Sequence, residues 1–280
     1  MSEYIKSPLN YVGGKYKLLP QLLPLFPKDI DTFIDLFGGG ANVAVNVKSK
    51  VTVYNDINLK VVQILETLAK TPTDEALEYI NRMIALYGLT KENESGFLDL
   101  RSFYNRSETK PPLMLYTLIC YAFNYQIRFN SKGEYNMPFG KNRSSFNDIL
   151  REKFIVFSKA LHNKNIIFVN SDFKEYAVYC MDSDSFIYCD PPYLNSTATY
   201  NEKSGWTEKD ENILRSLLDK WAKQGVRWAL SNNAAVNTDL TDWASSRGYT
   251  VHYLDNSYGN SNYHKKDKSD KDKEVLITNY

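Results

Sequence analysis

The chain has 280 residues, 43% of them hydrophobic and 14% aromatic, with a formal net charge of +1 at pH 7. This is enough for one large domain or two smaller ones, and the near-neutral total gives no global field for a polyanion. The three cysteines, Cys120, Cys180 and Cys189, match no zinc or redox spacing, the N-terminus has no signal-peptide pattern, and the longest apolar run, 113–123, is short of the roughly 20 residues a bilayer needs, so a secreted or membrane-inserted protein is not expected.

Residues 7–17 read SPLNYVGGKYK, a Gly13-Gly14 pair flanked by Tyr11 and Lys15. It opens an expected amphipathic helix through Leu18, Leu19, Leu22, Leu23 and Phe26. Residues 32–37, TFIDLF, read as a strand, followed by Gly38-Gly39-Gly40 and a helix over 41–47. Strand, glycine turn and helix open a nucleotide-binding βαβ unit, but the pattern is not G-x-G-x-x-G, so phosphate binding is not implied. The next strand, 51–54, ends in Asn55-Asp56. Asp56 stands about 20 residues beyond the first strand, the spacing of an acid that binds ribose hydroxyls.

From 59 to 146 the pattern turns helical, with helices expected at 59–69, 73–87, 97–104 and 112–122. Such a long non-alternating block reads as an insertion into an α/β chain. Its second half is basic: residues 101–145 carry Arg101, Arg106, Lys110, Arg128, Lys132, Lys141 and Arg143 against Glu108 and Glu134 alone. The block ends in FNYQIRFNSKGEYNMPFGKNR, residues 123–143, with a hairpin turn expected at Ser131-Lys132-Gly133-Glu134. Alternating aromatics, amides and cations suit reading base edges and gripping phosphates, and equally suit a solvated hairpin.

Alternation of helix and strand then resumes. A helix over 146–161 leads to a strand at 166–169 that ends in Asn170-Ser171-Asp172-Phe173. The acid and the ring suit the edge and face of an adenine, or a plain surface turn. The run 186–189 is a buried strand, and Asp190-Pro191-Pro192-Tyr193 follows it directly. The prolines end the strand and push Asp190 towards extended geometry, so a carboxylate, a carbonyl and a ring share one rigid turn at a strand end, where ligands of open α/β sheets bind. Beyond a polar loop, 194–205, Thr207 caps a helix, with Asp210 as the other half of an imperfect capping box. A strand at 227–230, a helix at 236–246, and strands at 249–254 and 274–279 complete the chain, the last two separated by a lysine-aspartate run that reads as a solvated loop.

Taken together, NYVGGK (10–15), FIDLFGGGANVAVNV (33–47), YNDIN (54–58), the 123–141 segment, DPPYLNSTATY (190–200), LSN (230–232) and the closing EVLITNY resemble the Dam-type DNA adenine-N6 methyltransferases, the D12 class or alpha group of phage and bacterial enzymes. The resemblance covers essentially the whole chain. It implies a class I, Rossmann-like S-adenosylmethionine-dependent methyltransferase sheet, formed by 1–58 and 147–280. It also implies an inserted, mainly helical target-recognition domain, 59–146, carrying a β-hairpin.

Carried over residue by residue, the resemblance implies S-adenosylmethionine binding by Tyr11, Lys15, Asp35, Phe37, Gly38, Gly40, Asp56, Asp172, Phe173 and Asp190. S-adenosylhomocysteine would be the product. Asp190, Pro191, Pro192 and Tyr193 form the implied catalytic motif, with no metal. Arg128 corresponds to a guanine-reading arginine, Asn124, Asn130 and Pro138 to neighbouring DNA contacts, and Tyr200 to an aromatic near the target base. Gln126 departs from the pattern: members of the family carry Leu or Met there, beside a thymine. An apolar side chain packs on a thymine methyl, whereas Gln bridges an adenine, so the implied site is GATC or a relative of it. The implied partner is double-stranded DNA, met by a monomer or weak dimer in the cytoplasm, with no membrane. Two other readings stand beside this one: the same cofactor used on cytosine-N4 or another nucleic acid, and a sequence-specific DNA-binding protein without turnover.

Overall fold

The computed structural model describes residues 4–178, 184–194, 205–237, 239–255 and 274–280. Cys180, Tyr200 and the lysine-aspartate run lie outside them. Seven strands, β1 (Thr32–Asp35), β2 (Val51–Asn55), β3 (Ile166–Val169), β4 (Ser185–Cys189), β5 (Arg227–Asn233), β6 (Thr250–Tyr253) and β7 (Glu274–Thr278), form one sheet in the order β3-β2-β1-β4-β5-β7-β6. The first five pair in parallel, while β7 runs antiparallel to both β5 and β6.

The alternation of side chains along each strand divides the sheet between two cores. Phe33, Phe186, Tyr188, Ala229 and Leu276 pack towards the N-terminal segment with α1 (Leu19–Leu22) and α2 (Asn42–Asn46). Ile34, Ile187, Cys189, Trp228, Leu230 and Val275, one step out of phase, pack against α8 (Glu208–Lys223) and α9 (Leu240–Ser246). Both faces are covered, which explains why these strands read as continuous apolar runs. Cys120 and Cys189 are buried free thiols.

Four helices lie between β2 and residue 123: α3 (Leu59–Lys70), α4 (Thr73–Tyr87), α5 (Glu94–Arg106) and α6 (Pro112–Tyr121). Every residue of α6 from Leu113 to Tyr121 is buried, so it is the helix the others surround. The side chains of Asn58 and Asn93 cap α3 and α5, and Asn147 caps α7 (Asp148–His162). The helical core is continuous with Ala41, Ala44 and Tyr54 of the sheet layer and with Phe154, Phe157 and Leu161 of α7. Among the described residues, no helix is long and apolar enough to cross a membrane.

Three local expectations are corrected. The helix expected from Leu18 to Phe26 is broken into a 3-10 turn (Lys15–Leu18), the single α turn of α1 and a second 3-10 turn (Leu23–Leu25). Pro20 and Pro24 stand at the starts of the last two pieces, and each removes a backbone donor. The last helix begins at Leu240, not 236. The hairpin turn falls at 131–134 as expected, but its arms form no continuous ladder and pair at two isolated antiparallel bridges, Ala122 opposite Phe139 and Phe129 opposite Tyr135. Asn124 and Tyr125 take left-handed φ of 53° and 56°, and Pro138 has no N–H to offer. Backbone hydrogen bonds from Asn130 to Glu134, Asn136 to Arg128, Phe123 to Pro138 and Gly140 to Tyr121 join the two arms, and helix α5 braces the outer edge of the second. The Asn105 amide donates to the Tyr135 carbonyl at 3.0 Å and accepts from its N–H at 2.9 Å, and Arg101 donates to the Met137 carbonyl at 2.7 Å. The capping box of α8, by contrast, is complete: Thr207 Oγ1 accepts from the Asp210 N–H, and Asp210 Oδ2 accepts from the Thr207 N–H.

Candidate active site

Strands β1 and β4 are neighbours, but the chain leaves β1 for β2 and leaves β4 for β5. Their following loops diverge, opening a crevice at the C-terminal edge of the sheet. A cavity of about 400 Å³ lies there. Tyr11 and Lys15 line it from the N-terminal segment, Asp35, Phe37, Gly38 and Gly40 from the end of β1, Asp56 from β2, Asp172 and Phe173 from β3, and Asp190 with Pro192 from β4. The structure thus brings all the residues of the expected cofactor set into one cavity.

The glycine loop is shaped by two tyrosines. A Cβ on Gly38 would lie 2.2 Å from Cε2 of Tyr54, a ring buried completely whose hydroxyl donates to the Gly39 carbonyl at 2.6 Å. Gly39 has φ +49°, and a Cβ there would lie 2.9 Å from the Tyr11 ring. Ala41, two residues on, is itself left-handed at φ 59°. The backbone passes closely under Tyr11 and over Tyr54, which only a side-chain-free segment permits.

Two acids stand on either side of this loop. Asp56 Oδ2 accepts from the Gly39 N–H at 2.8 Å and Oδ1 from the Asn58 N–H at 2.7 Å. Burial pushes its carboxyl up to about 6, against those two hydrogen bonds. Each oxygen keeps a second lone pair, so the carboxylate is oriented by the backbone and still able to accept from a diol. Asp35 is 1% exposed and accepts from the Ala44 N–H at 3.1 Å. Burial first, then the charge of Asp190, pushes it up to about 8. A raised carboxyl binds a proton when folded that the unfolded chain has released, so the stability it contributes is present below the ordinary carboxylate range and is lost as pH rises through its folded value. The thermal midpoint of the protein without added ligand is therefore expected to fall from about pH 6 to about pH 8. Asp35→Asn, which keeps an acceptor for Ala44, should flatten that fall in a melting series; an unchanged slope would assign it to other groups.

The far end of the cavity is aromatic. Phe37 and Phe173 lie 5.4 Å apart between centroids, and Trp206 lies 5.3 Å from Phe173 and edge-on to Phe37 at 5.8 Å. Trp206 Nε1 donates to Glu211 at 2.9 Å, and Glu211 is itself tied to Arg215 and Asn237. Trp206 was not among the residues picked out from the sequence. Its signal was its place directly before the α8 capping box, which fixes the ring against the sheet.

Around D-P-P-Y the contacts are ionic. Lys15 Nζ, on a side chain 5% exposed, lies 2.7 Å from Asp190 Oδ1 and donates to the Gly13 carbonyl at 3.0 Å. Burial pushes the Asp190 carboxyl up, opposed by the Lys15 ammonium and the Tyr193 hydroxyl. Pro191 and Pro192 are buried. Tyr193 donates to Glu274 Oε1 at 2.6 Å, with Lys15 Nζ 5.1 Å from its ring centroid. Glu274 opens the strand expected at 274–279, directly after the lysine-aspartate run, and nothing local in the sequence ties it to the site.

Apart from Tyr200, which lies outside the described residues, the expected DNA-contact residues stand away from the cavity, on the 123–139 arm. Asn124, Arg128 and Pro138 are exposed, and Gln126 and Asn130 are half-buried. Arg128 is steadied by Asn136, to which its Nε donates at 3.0 Å and Nη2 at 3.3 Å. Asn130 Oδ1 accepts from the N–H groups of Lys132 and Glu134, so this amide builds the turn. The arm reaches the site through Asn10, which donates to the Asn124 carbonyl at 2.8 Å, one residue before Tyr11.

The sheet order, its one antiparallel strand and the switch-point cavity define a Rossmann-like methyltransferase fold. A family model for the D12 class N6 adenine-specific DNA methyltransferases matches residues 11–270, and the chain belongs to that family. It is 47% identical to the type II methyltransferase M.FokI of Planomicrobium okeanokoites over 100% of this chain and 43% of that protein. It is 43% identical to the modification methylase StsI of Streptococcus sanguinis over 99% of this chain, again 43% of that protein. The chain therefore spans less than half the length of these two relatives. It is also 27% identical to a DNA adenine methylase of Vibrio cholerae, over 82% of each chain.

Proposed function

We propose that this chain transfers a methyl group from S-adenosylmethionine to the N6 amine of an adenine turned out of duplex DNA, within GATC or a related short site. The observation that carries the reading is the convergence of Asp190, Lys15, the glycine loop and Asp56 on one switch-point cavity, in a chain of the D12 class. The cavity suits the cofactor chemically: an oriented acid for ribose hydroxyls, an aromatic box for a purine, and carboxylates near the place of a cation.

The lone pair of an adenine amine is delocalised into the ring, so the amine is a weak nucleophile. Asp190 and the Pro191 carbonyl accept hydrogen bonds from its two N–H groups and localise that pair; after transfer the methylated nitrogen loses one proton to solvent, and S-adenosylhomocysteine leaves as the neutral thioether. With Oδ1 held by Lys15, Oδ2 is the oxygen that meets the amine. These hydrogen bonds strengthen as the nitrogen gains positive charge, so they lower the barrier and do more than bind. When bound, S-adenosylmethionine supplies a methyl group already activated by its sulfonium. The remaining contribution of the chain is placement: the Tyr193 ring stacks on the extrahelical base, and base–aromatic stacking of roughly 1–3 kcal/mol is comparable with the cost of flipping.

In this reading residues 59–146 form the target-recognition unit, with 1–58 and 147–280 as the cofactor-binding part. Arg128, exposed and steadied by Asn136, reads a guanine, with Asn124, Gln126, Asn130 and Pro138 beside it and the basic residues of 101–145 on phosphates. Arg128→Ala is expected to lose about 1–3 kcal/mol of discrimination at one base pair. Competition between substrate duplexes differing at single positions checks this; an equal loss on every sequence would reduce Arg128 to a phosphate contact. The reading as a whole is tested by incubating the protein with methyl-labelled S-adenosylmethionine and unmodified genomic duplex. Label is expected in the DNA, and retention of DNA without label would favour a binding protein.

A further inference from the structure

We infer that Glu274 is a positioning residue for methyl transfer, fixing the Tyr193 ring through its hydroxyl; the inference rests on the methyltransferase reading above. The sheet topology brings it there. Because β7 runs antiparallel, its first residue lies at the edge where the parallel strands end, with Glu274 opposite Asn233 in the register. A residue 84 positions from Asp190 in the chain thereby joins the D-P-P-Y turn.

Glu274 is 4% exposed at the head of an apolar, fully buried strand. A buried carboxylate is costly unless paired. Its side-chain partners among the described residues both belong to the site: it accepts from the Tyr193 hydroxyl at 2.6 Å and lies 3.6 Å from Lys15 Nζ, the cation that also holds Asp190. The Tyr193 hydroxyl is 3.5 Å from Asp190 Oδ1, so the shorter bond to Glu274 dominates. A tyrosine anchored at its backbone and at its hydroxyl has its ring plane set before the base arrives. Stacking then orders fewer groups, and the amine meets Asp190 in a prepared orientation.

The test uses Glu274→Ala, Glu274→Gln, Tyr193→Phe and the Glu274→Ala/Tyr193→Phe pair, each with a thermal melt, kcat on unmodified duplex DNA and KM for S-adenosylmethionine. Glu274→Ala is expected to lower kcat about ten- to hundredfold, the loss of one hydrogen bond to a charged group, with KM for the cofactor changed by less than about threefold. Glu274→Gln, which keeps an acceptor, should restore most of the rate. Tyr193→Phe should match Glu274→Ala, and the double variant should be no worse than either, because both remove the same bond. Wild-type kcat in Glu274→Ala, or losses that multiply in the double variant, would overturn the inference. If Glu274→Ala does not fold, a wild-type rate in Tyr193→Phe overturns it equally. Transfer by the wild type together with such results leaves the parent reading standing; no transfer by the wild type overturns both.

Discussion

Asp190→Ala is expected to lower methyl transfer by about 10²–10³-fold or more, the range seen when one preorganised transition-state hydrogen bond is removed. On the proposed mechanism the substitution takes away the Asp190 acceptor for the target amine and leaves only the Pro191 carbonyl to localise the lone pair. Cofactor affinity should change far less, because Asp56, the acid proposed for the ribose hydroxyls, and the ring box of Phe37, Phe173 and Trp206 stand elsewhere in the cavity. Lys15 keeps Glu274 within 3.6 Å and the Gly13 carbonyl at 3.0 Å, so the ammonium is not left without a counter-group. Equilibrium binding of S-adenosylmethionine beside single-turnover methylation separates the two effects. Near-wild-type turnover in this variant would sink the proposed mechanism, and equal loss of binding and rate would limit Asp190 to cofactor binding.

Gly38→Ala should cause the second large effect, this time through the fold of the loop. The new methyl would stand 2.2 Å and 2.4 Å from two ring atoms of Tyr54. That ring is buried completely, pairs with Phe168 at 5.5 Å and holds the Gly39 carbonyl, so it has little room to withdraw. Overpacking of this kind costs about 1–3 kcal/mol and occasionally more. The displaced loop also carries the Gly39 N–H that orients Asp56, so cofactor affinity should fall together with the melting temperature. Gly40→Ala is the control: its nearest neighbour would be Cβ of Tyr11 at 3.3 Å, which asks for an adjustment of only tenths of an ångström. Similar melting points for the two variants would contradict this account of the glycine loop.

Much of the fold was legible because period-2 and period-3.6 patterns are local. The strands at Thr32–Asp35, Ile166–Val169 and Ser185–Cys189, and the helix Thr73–Tyr87, fall at or within a residue or two of where the apolar spacing set them. The order of acids and glycines at strand ends also located the cavity, since a strand end is visible in the chain. What escaped depended on tertiary contacts. The 123–143 segment reads as a hairpin and pairs as one at two bridges, but its bracing by Asn105 and Arg101 of a preceding helix has no local signal. Trp206 and Glu274 reach the site only through the packing of α8 and the reversed direction of β7. Trp206 stands beside a capping box and Glu274 opens the EVLITNY motif, but neither is tied to the cavity until the sheet order is known. The prolines at 20 and 24 were visible, but the leucine spacing outweighed them in the reading, and the backbone followed the prolines.

The central claim is most directly tested by nucleoside mass spectrometry of unmodified duplex DNA after incubation with this protein and S-adenosylmethionine. N6-methyladenine, confined on sequencing to one short recurring site, is the expected result. N4-methylcytosine, or no modified nucleoside from a folded protein that binds the cofactor, would contradict it.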